Sequence, residues 1–323
     1  MLTSAEFTAT TTYTAAQYHL VLYGFVVALF ALFATGLYGA STRNEVARQY
    51  RGAAVASTAI CWVASLAYLA LLLEWVLGFT ASADGSTYTP DPGTVVTELR
   101  YMDWSVTVPM LVCELLAVAV LTRAQALRWR TVGIASAFLM IATGYLGVVY
   151  GAGGGSTTAA LWVWGAISTV FFVVLYVVAW QAYRATAPAV GDEARTSYRN
   201  ALVLLFSVFG AYPLAYLVPV WASSNPGAWG TTEQLVFTFA DIAAKAGFGV
   251  LIHKVAKLRT AEDARRAGGG ADEAVASTAP DSVAGVVWIS GELVSTPRLV
   301  SAEAPVGAGA GAPSANGHRQ TRR

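Results

Sequence analysis

Leu99–Leu121, LRYMDWSVTVPMLVCELLAVAVL, is the stretch on which the reading turns. It is long enough to cross a bilayer, which takes about 20 mainly apolar residues, yet it carries Arg100, Asp103 and Glu114. A charge at bilayer depth costs about 2.5–3.5 kcal/mol on insertion scales, so each of the three points to a function. Helical spacing sharpens the point. Asp103 and Thr107 are four apart and share a face, and Arg100 lies one turn before Asp103. Asp103 and Glu114 are eleven apart, close to three turns, hence on the same side and roughly 16 Å apart along the axis. Structural carboxylates seldom form such a line of proton-exchanging groups across a membrane.

Six further apolar stretches flank this one, at Ala15–Ala40, Ala53–Phe79, Thr131–Gly151, Ala159–Tyr183, Asn200–Trp221 and Thr232–Ala256. Across the 323 residues 56% are hydrophobic and only 12% charged, with formal net charge +1. A soluble domain carries about 25% charged residues, so a water-facing enzyme is excluded. A nucleic-acid binder would need a basic surplus that is missing. Cys61 and Cys113 lie inside apolar runs and offer neither a disulfide framework nor metal-ligand spacing. The expected fold is an all-α membrane protein, a bundle of seven transmembrane helices.

Basic residues give the expected orientation. Arg43, Arg48 and Arg51, then Arg123, Arg128 and Arg130, then Arg184, Arg195 and Arg199 occupy alternate connections, and Lys254, Lys257 and Arg259 end the last span. The opposite loops hold no Lys or Arg but include Asp84, Asp91 and Glu98. The amino terminus is expected outside and the carboxyl terminus in the cytoplasm. Residues 1–14 form an extracellular segment, with no cleavable signal peptide evident, 15–257 the seven-helix domain and 258–323 a cytoplasmic tail. Rich in Ala, Gly, Ser and Pro, the tail is expected to be disordered, with Val286–Ile289 a small apolar island in it.

The last span carries Asp241 and, one turn on, Lys245, the only one of three lysines set well inside a span. A buried lysine loses its charge readily, and its neutral amine condenses with aldehydes. The alternative is a structural ion pair with Asp241.

Three blocks decide between them: RYMDWSVTVP at 100–109, AYP at 211–213 and DIAAK at 241–245. With them the chain resembles the microbial (type 1) rhodopsins, and within these the outward proton pumps of the proteorhodopsin and xanthorhodopsin group. The resemblance covers Tyr18 to Ala256. It implies all-trans retinal bound to Lys245 as a protonated Schiff base in a multi-pass protein of the cell membrane. It also implies that Asp103 is proton acceptor and counterion, Asp241 second counterion and Glu114 proton donor, with Arg100 and Thr107 on the same line. Trp104, Met140, Gly144, Trp164, Ser168, Phe209, Tyr212 and Pro213 would line the chromophore. Leu111 would tune its colour, while Tyr68 and Tyr212 bond the counterions. Such families form homo-oligomers. No metal and no enzyme activity are implied, and a sensory rhodopsin with a transducer partner is the alternative.

The chain departs from the family pattern at several positions. Phe209 stands where a Trp usually meets the retinal. Ala67 replaces a His that many relatives pair with the acceptor, and His19 reads as an interfacial residue rather than its substitute. Glu233 matches half of a proton-release pair whose second Glu is missing, so release direct from the surroundings of Arg100 is expected. Gly165 replaces a bulky Trp, as in the xanthorhodopsin group, where the gap admits a carotenoid antenna. The alternative is close helix packing.

Overall fold

The computed structural model describes residues 4–152, 157–221, 224–267, 286–289 and 292–295. A short helix α1 (Ser4–Thr10) leads into strand β1 (Tyr13–Thr14) and the first long helix α2 (Ala15–Thr42). Thr14 caps α2 reciprocally with Gln17: its hydroxyl accepts from the Gln17 amide while its own N–H donates to the Gln17 side chain at 2.9 Å. Then come α3 (Arg51–Leu77), β2 (Phe79–Ala81), β3 (Thr87–Pro90), α4 (Val96–Ala117), α5 (Arg123–Ala152) and α6 (Thr157–Thr186). The sixth span is broken into α7 (Asp192–Phe209), α8 (Ala211–Tyr216) and α9 (Val218–Trp221). The seventh consists of α10 (Pro226–Ile242), a π-helical turn at Ala243–Gly247 and α11 (Phe248–Ala267).

Neighbours in sequence pack as neighbours in space, from α2 through α6, and the ring closes where α11 packs on α7 and α10 on α2. This is a seven-helix membrane bundle. Among the described residues five helices are individually long and apolar enough to span: Ala15–Glu45, Arg48–Leu77, Arg123–Val149, Ala159–Ala189 and Pro226–Arg266. The third span falls short because Glu98, Arg100, Asp103 and Glu114 sit within its 22 residues, and the sixth because it is interrupted. Polarity is inverted relative to a soluble protein: Tyr23, Phe30, Leu66, Val170 and Phe239 face outward, whereas Arg100, Asp103, Glu114, Asp241 and Lys245 are buried. Only lipid tolerates that exterior.

At the amino-terminal end β1, β3 and β2 form a small antiparallel sheet, with Tyr13 opposite Tyr88 and Phe79 opposite Pro90. Its β2–β3 turn needs Gly85 at φ +69° and is stapled by Asp84, which accepts from the Ser82 and Ser86 hydroxyls at 2.6 and 2.9 Å. Those bonds hold the Asp84 carboxyl at about 2, below the ordinary carboxylate range. Behind the sheet Trp75, Tyr18, Tyr13 and Phe79 interlock. At the opposite end Arg259 donates to the Val118 carbonyl and lies 4.6 Å from the Tyr50 ring, and Lys257 pairs with Glu45.

Two parts of the expected tail lie among the described residues. The seventh span continues as helix to Ala267, and Val286–Ile289 pairs antiparallel with Glu292–Ser295 as a hairpin, β4 and β5. The remainder of 258–323 lies outside the described residues.

Candidate functional site

Two faces create the site. On α4 the stripe Arg100, Asp103, Thr107 and Glu114 turns inward, and all four are buried, as their spacing requires. On the seventh span Gln234, Thr238, Asp241 and Lys245 repeat the same rhythm and are buried opposite. Lys245 Nζ donates a short hydrogen bond to Asp103 Oδ2 and lies 3.1 Å from Asp241 Oδ1. The amine is thus clamped between carboxylates of two helices.

The two acids are held differently. Asp241 accepts from Trp104 Nε1 at 2.9 Å and Tyr212 OH at 2.7 Å on one oxygen, and from Tyr68 OH at 2.9 Å on the other. Arg100 Nη1 stands 3.7 Å from that second oxygen and donates to Tyr68 at 3.2 Å. The Arg100 fork is fixed by Gln234 Oε1, at 3.1 Å from Nε and 3.0 Å from Nη2. Asp103 has no comparable cradle: its Oδ1 is buried without a hydrogen-bond partner among the described residues. The Thr107 hydroxyl donates to the Asp103 backbone carbonyl at 3.0 Å, and so fixes the helix. Both expected tyrosine bonds therefore go to Asp241. Glu114 is fully buried, with the Ser57 hydroxyl as its polar neighbour.

Beyond Trp104 and Tyr212 lies an apolar cavity of about 440 Å³. Met140, Gly144, Ser168, Phe209 and Pro213 line it together with Tyr101, Phe172, Tyr216 and Phe237. Phe209 meets Tyr212 edge-on at 5.8 Å and occupies the wall with a ring smaller than a Trp. Gly144 lets Tyr101 and Ser168 close in, at 3.5 Å from where its Cβ would sit. Three residues assigned by resemblance are not on this wall. Trp164 is set back, its Cβ 3.1 Å from the point where a Cβ on Gly147 would lie, and Trp162 lines the cavity instead. Leu111 lines a smaller pocket shared with Val108 and Phe209, and Tyr68 is on the Asp241 side. Gly165 does line the cavity, and a Cβ there would come within 3.0 Å of the Tyr216 ring, so close packing is one reason for it.

Volume and lining suit a long apolar ligand. The cavity ends at the two side chains that bond Asp241, and Asp241 flanks the lysine at mid-span.

A seven-helix bundle with one lysine clamped at its centre and an apolar slot beside it defines a class, and the comparisons name it. The family described as bacteriorhodopsin-like protein matches residues 19–258, and the chain belongs to that family. It is 28% identical to archaerhodopsin-2 of Halobacterium sp. (strain aus-2) over 66% of this chain and 76% of that one. It is similar to the crystallographic structure of xanthorhodopsin, a light-driven ion pump with dual chromophore, at 30% identity and TM-score 0.71. That match covers 79% of this chain and 98% of the other. Thermophilic rhodopsin matches with TM-score 0.71 at 26% identity, over 79% and 99% of the two chains. The protein is a multi-pass microbial rhodopsin, and membership implies a retinal carried on a lysine.

Two features escaped the sequence reading. Gln234 as the anchor of Arg100 was detectable, since it lies seven residues before Asp241 on the same face. The π-helical turn around Lys245 left no signal in residue type.

Proposed function

We propose that the protein is a light-driven outward proton pump carrying all-trans retinal on Lys245. The observation that supports it most is the unequal pair around Nζ: Asp241 is bonded on both oxygens, whereas Asp103 Oδ1 has no hydrogen-bond partner among the described residues. Bound retinal supplies a light-driven change of shape and a protonatable nitrogen at Nζ. Asp103 accepts the proton at Oδ2, because it faces Nζ and gives up little hydrogen bonding on becoming neutral. Asp241 stays ionised, because Trp104, Tyr212, Tyr68 and Arg100 all favour its charge. Arg100 stands one turn before Asp103 and directs the released proton toward the amino-terminal end. Glu114 holds a proton on the other side of Lys245, since it is fully buried and takes part in no ion pair among the described residues. The arginines in alternate connections favour the cytoplasm for that side. In this reading 15–257 is the retinal-binding domain.

Illuminated vesicles or cells measured with a pH electrode provide the test. Outward pumping acidifies a cell suspension, and a protonophore abolishes the signal. A slow photocycle without acidification would instead favour a sensory rhodopsin. In Glu114→Gln, reprotonation of the amine nitrogen should slow on the order of a hundredfold while proton loss to Asp103 proceeds at its normal rate. Time-resolved absorption at neutral pH measures both, and unchanged turnover removes Glu114 from the donor role.

A carotenoid antenna is favoured by one observation: the cavity extends past Gly165 to Ala166, Thr169 and the half-exposed Trp162, so its wall reaches the lipid-facing surface. A hydroxylated carotenoid added to the protein should transfer energy to retinal, read as carotenoid bands in the retinal excitation spectrum. Gly165→Trp should erase them. Verified binding without transfer discards the antenna.

A further inference from the structure

On the side of Lys245 away from Arg100, one buried titratable group has no part in the pumping scheme. His253 lies on α11, 5% exposed, and neither ring nitrogen has a hydrogen-bond partner among the described residues. A structural histidine in a bundle core normally bonds at least one nitrogen. Its neighbourhood is polar but loosely bonded. Gly249, one turn earlier on α11, lets Ser57 of α3 pack directly against the helix: an added Cβ would press on Ser57 Oγ and lie 3.4 Å from Glu114 Oε1 of α4. Thr58 Oγ1, next to Ser57, is also buried without a partner among the described residues, at 2.6 Å from where a Cβ on Gly39 of α2 would sit. Tyr38, beside Gly39, stands edge-on to the His253 ring at 5.8 Å.

One turn beyond His253, Lys257 is paired with Glu45, whose side chain is 40% exposed. Tyr38 of α2 packs on the His253 ring, the nearest charges are Lys257 on its own helix and Glu45 in the turn after α2, and one turn earlier on α11 Ser57 of α3 and Glu114 of α4 meet Gly249. From α7, Glu193 lies 3.9 Å from Lys254, a residue adjacent to His253 in sequence. Gly249, His253 and Lys257 follow one another along α11 at about 6 Å of axial rise, so this helix runs from the level of Glu114 through His253 to the level of the Glu45–Lys257 pair.

We propose that His253 is a proton relay between the Glu45–Lys257 pair at the surface and Glu114 in the core. The idea rests on the outward-pump reading. A neutral imidazole carries one N–H and one lone pair. The lone-pair nitrogen takes a proton arriving past Glu45, giving the imidazolium. The other nitrogen then passes its proton to the Glu114 carboxylate, which becomes the acid again. The ring is left as the opposite neutral tautomer and resets by rotation or by exchange through water. No atom is gained or lost beyond the one proton moved.

The test uses the full chain with retinal in vesicles, flashed in the presence of a pH-indicator dye that reports proton release and uptake separately. His253→Gln and His253→Phe are compared with the unaltered protein between pH 6 and 8; Phe keeps the ring against Tyr38. Uptake in both variants should slow at least about tenfold at pH 8 and fall about tenfold per pH unit, as expected when protons must arrive directly from bulk. Uptake in the unaltered protein should vary far less with pH, and release should be equal in all three. Unchanged uptake in either variant overturns the relay and leaves the pump standing. Uniform slowing without the new pH dependence marks a packing defect and also overturns it. If the unaltered protein neither releases nor takes up protons after a flash, the pump falls and the relay with it.

Discussion

Lys245→Ala should yield a folded but colourless protein: addition of all-trans retinal produces no visible band and illumination no pH change. The reason is the amine itself. It is the lysine buried at mid-span, and the cavity ends against the side chains that bond its partner Asp241. Truncation also leaves Asp103 without its charged hydrogen-bond partner and removes one from Asp241. Breaking a buried pair in this way costs about 3–5 kcal/mol while both acids stay ionised. Proton uptake by Asp103 relieves the cost, since Arg100 still balances Asp241. The variant should therefore be less heat-stable at high pH than at low, a difference that thermal unfolding monitored by circular dichroism detects. A visible band in Lys245→Ala would mean that retinal binds elsewhere, and the assignment of the site would fail.

Asp103→Asn should retain colour, absorb further to the red and lose light-driven transport by on the order of a hundredfold or more. The negative charge closest to Nζ is removed while Asp241 remains, so the positive charge on the nitrogen is less firmly localised and the proton has no base to go to. The matching change Asp241→Asn should act differently. It strips Trp104, Tyr212, Tyr68 and Arg100 of a common acceptor, so lost stability joins any spectral shift. Absorption spectra with vesicle pH recording separate the two cases. Full transport in Asp103→Asn would remove Asp103 from the acceptor role.

How far these residues could be read in advance depended on whether one helix decided their position. The α4 stripe was legible because Arg100, Asp103, Thr107 and Glu114 lie on a single regular helix, where spacing alone fixes the facing side. The seven spans were legible for the same kind of reason, since bilayer thickness imposes length and hydropathy. The division of labour proposed for Asp103 and Asp241 was not legible from spacing and came only with the family resemblance. It depends on which acid Tyr68, Tyr212 and Trp104 reach across the bundle, and sequence spacing does not determine that. Trp164 and Trp162 show the same limit, because a small rotation of α6 decides which of two nearby indoles meets the cavity. His253 carried no pattern at all, for its interest lies in the bonds it does not make.

The π-helical turn at Ala243–Gly247 has a consequence for how the last span is clocked. A single wide turn accommodates one extra residue, so the helix beyond it is out of phase by about 100° with an uninterrupted α-helix. Asp241 and Gly249 consequently belong to two separately indexed helical segments, one turned toward Lys245 and Arg100 and the other toward Ser57 and Glu114. Tightening this turn into α-helix without removing a residue would swing the carboxyl-terminal segment, Gly249 included, by that angle away from Ser57 and Glu114, whereas deleting one residue between Asp241 and Gly249 would restore a regular spiral and leave that facing unchanged.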